Sequence, residues 1–364
     1  MKKILLLGYY GFNNIGDEAV LASIIQALRN VSPEVEITVL SDNPERTEKQ
    51  YGVSAINRWS KKGISEGIKE CDLFISGGGS LLQDVTGSKS ILYYLALIRL
   101  ALWYQKPVMF YAQGIGPVKR SWARKLLARV VNRVDLITVR DEDSRDDLLA
   151  MGVQKPPIYV TADPVLGWES DDETTPGEVL CRAGAEKKPA VGVSLRDWEG
   201  LKLKEIAQVC DWLAERGFQV VLLPFHFPGD IAICRDVAKL MKQEHCLVKE
   251  NLSPAEMMNL VGKMHLIIGM RLHALIIAAA RGVPFVGLSY DPKVERFSRQ
   301  VGQTAGCTVE NLTATFLQAQ VEQILANYRP IKRDLTDKTD ELKVKARENA
   351  LLVGKLLERY QDHS

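Results

Sequence analysis

The sequence has no apolar stretch long enough to cross a membrane. Its most apolar segment, residues 91–104, is shorter than a membrane span and contains Arg99. This segment predicts a buried helix, with an interfacial helix as the alternative. The apolar run at the N-terminus breaks after a few residues at Gly8, which favours a first β-strand over a signal peptide. We therefore predict a cytoplasmic protein.

Paired cysteines and an excess of charge are missing as well. The six cysteines are scattered without a C-x-x-C pair, which indicates reduced thiols and no structural zinc site. The net charge is only +2, which excludes a protein that wraps nucleic acid and leaves only local anion binding. We expect neither a metal nor a bound cofactor.

The length and the apolar pattern predict two α/β domains. At 364 residues the chain exceeds one ordinary core. Short continuous apolar runs alternate with amphipathic helical stretches, as is typical of parallel strands covered on both faces. The strands are predicted at residues 3–7, 36–40, 73–76, 108–112, 136–139 and 158–160, and then at 190–194, 219–223, 265–268 and 284–288.

Composition sets the predicted boundaries. Residues 171–189 lack an apolar period and read as a linker between two Rossmann-like domains, 1–170 and 190–334. Residues 335–364 have helical spacing and alternating charge, and we expect a terminal helix that packs back on the first domain. The predicted fold class is α/β, with two Rossmann-like parallel-sheet domains that face a cleft.

Glycine-rich loops follow several predicted strands, where doubly wound sheets bind ligands. None is a G-x-G-x-x-G fingerprint or a P-loop, which argues against nicotinamide and ATP. The alternative for each loop is a tight strand-to-helix turn. The run Gly77-Gly78-Gly79 is better suited to hold an anion, because its backbone N–H groups can form a nest.

Basic side chains follow the strands of the second half. Arg196, Arg271, His273 and Lys293 all stand at predicted strand ends of one domain, as a small, highly charged anion requires. Each has an alternative: an ion pair with Asp197 for Arg196, a helix cap for Arg271, a core histidine for His273 and a solvated loop for Lys293. Their joint placement favours a functional site.

At these residues the chain resembles the polysaccharide pyruvyl transferase family, and within it the bacterial cell-surface anchoring (CsaB-like) branch. The resemblance runs from about residue 3 to 295. It is carried by the segments GFNNIGDE (11–18), SGGGSLLQD (76–84), QGIGP (113–117), RDEDS (140–144), ADP (162–164) and MRLHA (270–274).

The resemblance implies a glycosyltransferase-B-like fold and an enzyme that uses phosphoenolpyruvate as a substrate, with no cofactor. The implied product is a pyruvate ketal across two hydroxyls of a sugar. In the anchoring branch the acceptor is an N-acetylmannosamine of a lipid-linked secondary cell wall polymer precursor, and the ketal serves to anchor surface-layer proteins.

Residue roles follow from the resemblance and from the chemistry of the donor. We predict His273 as the general acid, with Arg271 beside it, and a donor pocket completed by Arg196 and Lys293. Asp17 is the predicted base, with a helix-capping role as the alternative, and Asp163 is a second candidate. The predicted acceptor-binding residues are Asn14, Asp17, Gly78, Gly79, Gln113 and Asp163.

Two other functions remain open from the sequence. A nucleotide-sugar glycosyltransferase of the same fold usually presents a carboxylate to the ribose at the position of Ile277, which cannot accept a ribose hydroxyl. A non-catalytic carbohydrate-binding subunit is the other alternative, and it would have little use for an Arg/His pocket.

A basic amphipathic stretch suggests contact with an anionic membrane. Residues 119–133 contain six Lys or Arg and no acid, interleaved with apolar residues. Such a helix suits peripheral binding at the inner face of the cell membrane. A solvated surface helix is the alternative.

Overall fold

A computed structural model describes residues 1–85, 87–170 and 188–360. The chain divides into two compact units. The first unit contains Met1–Phe12, Asp17–Trp168 and Leu342–Ser364, and the second contains Asn13–Gly16 and Glu169–Glu341. Most of the predicted linker, residues 171–187, lies outside the described residues.

Each unit is built around one parallel sheet. The strands are β1 (Lys3–Tyr10), β2 (Glu36–Ser41), β3 (Ser54–Asn57), β4 (Leu73–Ser76), β5 (Val108–Gln113), β6 (Leu136–Val139), β7 (Ile158–Val160), β8 (Ala190–Ser194), β9 (Gln219–Leu222), β10 (His245–Leu247), β11 (Leu266–Gly269), β12 (Phe285–Ser289) and β13 (Ala305–Thr308).

The helices of the described residues separate these strands. They are α1 (Ile15–Val31), α2 (Pro44–Tyr51), α3 (Lys61–Glu70), α4 (Ser88–Trp103), α5 (Ser121–Val131), α6 (Glu142–Ala150), α7 (Leu203–Glu215), α8 (Gly229–Leu240), α9 (Pro254–Gly262), α10 (Leu272–Ala280), α11 (Pro292–Gln300), α12 (Ala314–Ala326) and α13 (Tyr328–Arg359). None of the helices in these ranges combines the length and apolar character that crossing a bilayer requires.

The first sheet has the order β3-β2-β1-β4-β5-β6-β7, and the second has the order β10-β9-β8-β11-β12-β13. Every strand pair is parallel; β1, for example, lies between β2 and β4. The central strands are buried along their length, as their continuous apolar sequences require. These two sheets confirm the prediction of two parallel-sheet α/β domains.

Three strands were not predicted. β3, β10 and β13 lie at sheet edges, and each is short. An edge strand has one neighbour and is partly exposed, so its sequence carries little of the apolar run that marks a central strand.

The C-terminal helix begins at Tyr328, before the predicted boundary at residue 335. Its residues from Leu342 onward belong to the first unit, and its beginning belongs to the second. Asn349 is fully buried on this helix and accepts hydrogen bonds from Thr138 (2.5 Å) and Thr161 (2.8 Å). It also donates to the carbonyl of Ala162 (3.3 Å). One amide therefore joins the helix to the ends of β6 and β7.

Replacing Asn349 by Leu should destabilise the first unit. The change removes the amide oxygen that two buried hydroxyls contact and the donor to the carbonyl of Ala162, and it places an aliphatic side chain among these polar groups. The free energy of unfolding should therefore fall by about 2–4 kcal/mol. Urea denaturation followed by circular dichroism measures it. Leu351→Ala, at an exposed position of the same helix, is the control and should stay within about 0.5 kcal/mol. An equal, small effect of both changes would contradict the role of Asn349.

Candidate functional site

The carboxyl ends of four adjacent strands bring the candidate residues of the second unit to one sheet edge. The strands β9, β8, β11 and β12 are neighbours in that order. His226 follows β9, Arg196 follows β8, Arg271 follows β11 and Lys293 follows β12. Because the strands are parallel, these residues leave the sheet at the same edge, where doubly wound sheets bind ligands.

Arg196 and Lys293 meet at Tyr290. The Arg196 guanidinium donates a hydrogen bond to the Tyr290 hydroxyl (3.2 Å) and lies 5.4 Å from the centre of its ring. The Lys293 ammonium lies 5.2 Å from the same ring and 3.4 Å from a carboxylate oxygen of Asp291. Two of the predicted donor-binding cations therefore share one aromatic contact.

Arg196 and Lys293 lower the pKa of the Tyr290 phenol. Burial by itself would raise the pKa of the phenol. The charges of Lys293 and Arg196, together with the hydrogen bond from Arg196, outweigh burial and hold the pKa of Tyr290 below its ordinary value. An anionic ligand at this position would meet the same positive field.

Arg271 is held by a buried carboxylate. Its Nε donates to Asp230 Oδ2 (3.0 Å) and its Nη2 donates to the other oxygen of the same carboxylate. Asp230 is 2% exposed and also accepts the backbone N–H groups of Phe225 (3.1 Å) and His226 (2.9 Å). Two of the three guanidinium nitrogens of Arg271 are thereby fixed in direction, and Nη1 is outside this fork.

His273 lies in the first turn of α10 and is packed against Gly16. A Cβ atom added at Gly16 would overlap the imidazole of His273, so only glycine allows this approach. The imidazole is half-buried.

The loop that carries Gly16 belongs to the second unit, although it precedes most of the first unit in sequence. The N–H of Ile15 donates to the carbonyl of Phe225 (2.8 Å), and the N–H of Phe227 donates to the carbonyl of Asn13 (3.0 Å). Asn14 and His226, which lie between these two backbone hydrogen bonds, form an isolated antiparallel β-bridge. Asn14, a predicted acceptor-binding residue, is therefore held against the segment that follows β9.

The other predicted acceptor-binding residues lie in the first unit, where Gly79 contacts both Asp17 and Gln113. Asp17 is in the first turn of α1, and its carboxylate lies beside Gly79, which has a φ of +94°. Gln113 is fully buried; it donates to the carbonyl of Gly79 (2.8 Å) and accepts from Ser76 (3.1 Å). These contacts fix the glycine loop against Asp17 and give Gln113 a supporting role.

Asp163 is buried in a structural network. Its carboxylate caps the short 3-10 turn Pro164–Gly167 and lies 3.4 Å from Arg140. Arg140 also donates to Ser80 (3.2 Å), at the end of the glycine run. Both carboxylate oxygens of Asp163 are engaged, one by the cap of this turn and the other by Arg140, which argues against Asp163 as the base.

Two residues of this region were given no role in the site predicted from the sequence. Tyr290 directly precedes Asp291-Pro292-Lys293, and its position at the end of β12 was a usable signal. Asp230 lies inside the first turn of α8, away from the motifs, so only the folded structure shows that it pairs with Arg271.

The fold defines the class of protein. The S. aureus MnaA–UDP co-structure has a TM-score of 0.69 at 13% identity, with 100% of this chain and 97% of that chain covered. Anabaena Alr3699/HepE in complex with UDP and glucose has a TM-score of 0.66 at 11% identity, with 99% and 100% covered. The UDP-GlcNAc 2-epimerase from Neisseria meningitidis gives 0.68 at 13%, with 98% and 100% covered. The chain has this glycosyltransferase-B-like fold.

Within that class the family is defined by sequence. Residues 14–292 match the polysaccharide pyruvyl transferase family, and the chain belongs to it. The amylovoran biosynthesis protein AmsJ of Erwinia amylovora is 22% identical over 408 residues, covering 94% of this chain and 96% of that protein.

Tyr290 should be among the first tyrosines of the folded protein to ionise. Absorbance titration of the native protein should show a tyrosine with a pKa below the ordinary value, and Tyr290→Phe should remove that step. Lys293→Gln should raise the pKa, because it removes a positive charge that favours the phenolate. Tyr159→Phe, at an exposed position of the first unit, is the control. An unchanged titration curve in Tyr290→Phe would contradict this assignment.

Proposed function

We propose that the chain transfers the pyruvyl group of phosphoenolpyruvate to a sugar of a cell-surface polysaccharide precursor and forms a pyruvate ketal. The observation that carries the proposal is the arrangement of Arg196, Lys293, Arg271 and His273 at one sheet edge in a member of the pyruvyl transferase family. Phosphoenolpyruvate carries a phosphate and a carboxylate on three carbons and needs several cations at short range.

The geometry supports separate roles for the cations. Arg196 and Lys293, close to each other at Tyr290, bind one anionic group of the donor, and Tyr290 orients both side chains. Arg271, fixed by Asp230, directs its remaining nitrogen to the other anionic group. Such preorganised charges stabilise the negative charge that develops on departing phosphate.

His273 is the proposed acid. It gives a proton to the methylene carbon of phosphoenolpyruvate, and C2 becomes an oxocarbenium-like centre. A first sugar hydroxyl attacks C2 and loses its proton to a base, for which Asp17 is the candidate. The bond from C2 to the phosphate oxygen then breaks and phosphate leaves with the electron pair. A second hydroxyl attacks C2 and closes the ketal, and its proton returns to the imidazole of His273. The proton that the base took up passes to the released phosphate.

The proposed acceptor is an N-acetylmannosamine-type sugar of a lipid-linked secondary cell wall polymer precursor, with a ketal that anchors surface-layer proteins. This proposal rests on the resemblance of the motifs to the anchoring branch. The relative AmsJ is a protein of amylovoran biosynthesis, so an exopolysaccharide precursor is the other acceptor to be assayed.

The structure of α10 argues against nucleotide-sugar transfer. By the sequence pattern, Ile277 stands where such enzymes are expected to present a carboxylate to ribose, and its side chain is fully buried. A buried aliphatic side chain neither accepts a hydroxyl hydrogen bond nor faces a ligand.

Phosphate release tests the donor pocket. With phosphoenolpyruvate and an amino-sugar acceptor, Arg196→Ala should raise the KM for phosphoenolpyruvate by about tenfold to a hundredfold, through loss of a charge-assisted hydrogen bond. His273→Gln should lower kcat by about a hundredfold or more, through loss of the acid.

The matched controls lie on the same unit. Arg216→Ala removes an exposed arginine of the α7 C-terminus, and His245→Gln removes a histidine of the edge strand β10. Both should stay within about twofold of the unchanged protein, as expected for surface changes. Equal loss in Arg196→Ala and Arg216→Ala would contradict the proposed pocket.

We also propose that the protein works in the cytoplasm, peripherally bound to the inner face of the membrane. The face of α5 that avoids the core carries Arg124, Lys125 and Arg129, all exposed. Beside it, α4 and α5 line an apolar groove of about 530 Å³ that includes Leu92 and Trp103, which is 70% exposed. A basic surface next to an apolar groove suits anionic headgroups and acyl chains together.

Vesicle co-sedimentation tests the membrane contact. The triple change Arg124→Glu, Lys125→Glu and Arg129→Glu should weaken binding to anionic phosphatidylglycerol vesicles by about tenfold or more, since each basic residue contributes about 1 kcal/mol near such a surface. The same reversal at Lys345, Lys355 and Arg359, exposed on α13, changes net charge equally and should have little effect. Binding that ignores lipid charge, or equal loss in both variants, would contradict the contact.

A further inference from the structure

A buried arginine surrounded by aromatic rings lies at the carboxyl edge of the first sheet. Arg58 directly follows β3 and is 4% exposed. Its guanidinium carbon lies between 4.7 and 5.9 Å from the ring centres of Tyr9, Phe12, Trp59, Tyr93 and Tyr94. We call these six residues the Arg58 cluster.

Within the part of the chain that the structure describes, the charge of Arg58 has no carboxylate partner. Among the described residues no Asp or Glu forms an ion pair with it, and its buried Nε has no hydrogen-bond partner. One Nη donates to the carbonyl of Gly8 (3.1 Å) and the other approaches the Tyr94 hydroxyl (3.5 Å). Aromatic rings therefore form much of the surroundings of this buried cation, and a cation over the face of such a ring is stabilised by about 0.5–2 kcal/mol.

The exposed member of the cluster is Trp59. The guanidinium covers the ring at 5.3 Å, and the indole N–H donates to Asp42 (3.0 Å). The residue is nevertheless 63% exposed. A large aromatic surface is thus held in one orientation and left open to solvent, which is unfavourable for folding alone and favourable for a ligand that stacks on it.

Most of the cluster lies at the carboxyl ends of adjacent parallel strands, which is where sheets of this kind bind ligands. Tyr9 and Phe12 stand at the end of β1, Asp42 directly after β2, and Arg58 and Trp59 directly after β3. These three strands are adjacent in the first sheet, and their carboxyl ends share one edge. The predicted acceptor-binding residues of this unit include no aromatic side chain; Asp17 also follows β1, and the others stand at the ends of β4, β5 and β7.

We propose that the Arg58 cluster is a saccharide-binding platform, on which a pyranose of the acceptor stacks against Trp59 and hydrogen-bonds to Asp42. The C–H groups on one face of a pyranose carry partial positive charge, which the negative face of an indole attracts. The Asp42 carboxylate keeps acceptor capacity beyond its bond to the indole and suits sugar hydroxyls. The proposal rests on the proposed function for the identity of its ligand as the acceptor.

Saturation-transfer NMR with methyl glycosides of N-acetylmannosamine, N-acetylglucosamine, galactose and glucose tests the platform without catalysis. We expect signal from at least one glycoside, loss of about fivefold or more in affinity in Trp59→Ala, and partial retention in Trp59→Phe, which keeps an aromatic face. Tyr159→Ala removes another exposed aromatic side chain of the same unit and should leave the signal unchanged. Because Trp59 is exposed, its replacement leaves the core intact, and circular dichroism verifies this.

The outcomes separate the platform from the proposed reaction. Sugar binding that depends on Trp59, with no transfer from phosphoenolpyruvate, supports the platform and overturns the proposed reaction. Transfer whose acceptor KM is the same in Trp59→Ala and the unchanged protein overturns the platform and leaves the reaction standing. Absence of signal from all four glycosides, or equal signal in Trp59→Ala, also overturns the platform.

Discussion

The carboxylate of Asp230 is the constraint on which the candidate donor site depends. It accepts hydrogen bonds from the amides of residues 225 and 226 and from the guanidinium of Arg271. Through these bonds it fixes the segment after β9, the beginning of α8 and the beginning of α10. The loop Asn13–Gly16 pairs with the same segment, which sets Gly16 against His273. Breaking a buried ion pair of this kind leaves an uncompensated charge and is costly.

The same physical rule organises both sheets. Parallel strands end at one edge, so chemistry that is far apart in sequence becomes close in space. In the second unit the result is a positive region, with Arg196 and Lys293 on either side of Tyr290. In the first unit it is an aromatic surface centred on Arg58. The proposed donor is a small trianion and the proposed acceptor is an uncharged sugar, and these two ligands need different environments.

Much of the fold could be predicted from the sequence, because central parallel strands are buried on both faces. The runs at residues 73–76 and 190–194 have no other simple interpretation. Three of the four edge strands were missed for the converse reason, since β3, for example, exposes both of its end residues. The C-terminal helix was predicted, but its beginning was not, because helical spacing alone does not mark a start.

Of the candidate site, only the residues located just after the C-terminal ends of strands could be predicted from the sequence. Arg196 and Lys293 were identified by that position, and the structure joins them through Tyr290. The pairing of Arg271 with Asp230 depends on tertiary structure, as no local pattern relates the two residues. Gln113 shows a second limit of prediction from sequence. It was predicted to bind the acceptor because it begins a glycine-rich segment after a strand, but in the structure it is buried and supports the loop at Gly79.

The central claim is that this sheet edge transfers a pyruvyl group, and mass spectrometry of the acceptor tests it most directly. After incubation with phosphoenolpyruvate, an amino-sugar acceptor linked to a lipid diphosphate should gain the mass of pyruvic acid less one water, with one phosphate released. An acceptor that stays unchanged with phosphoenolpyruvate, and gains a hexose when a uridine diphosphate sugar is supplied, would contradict the account.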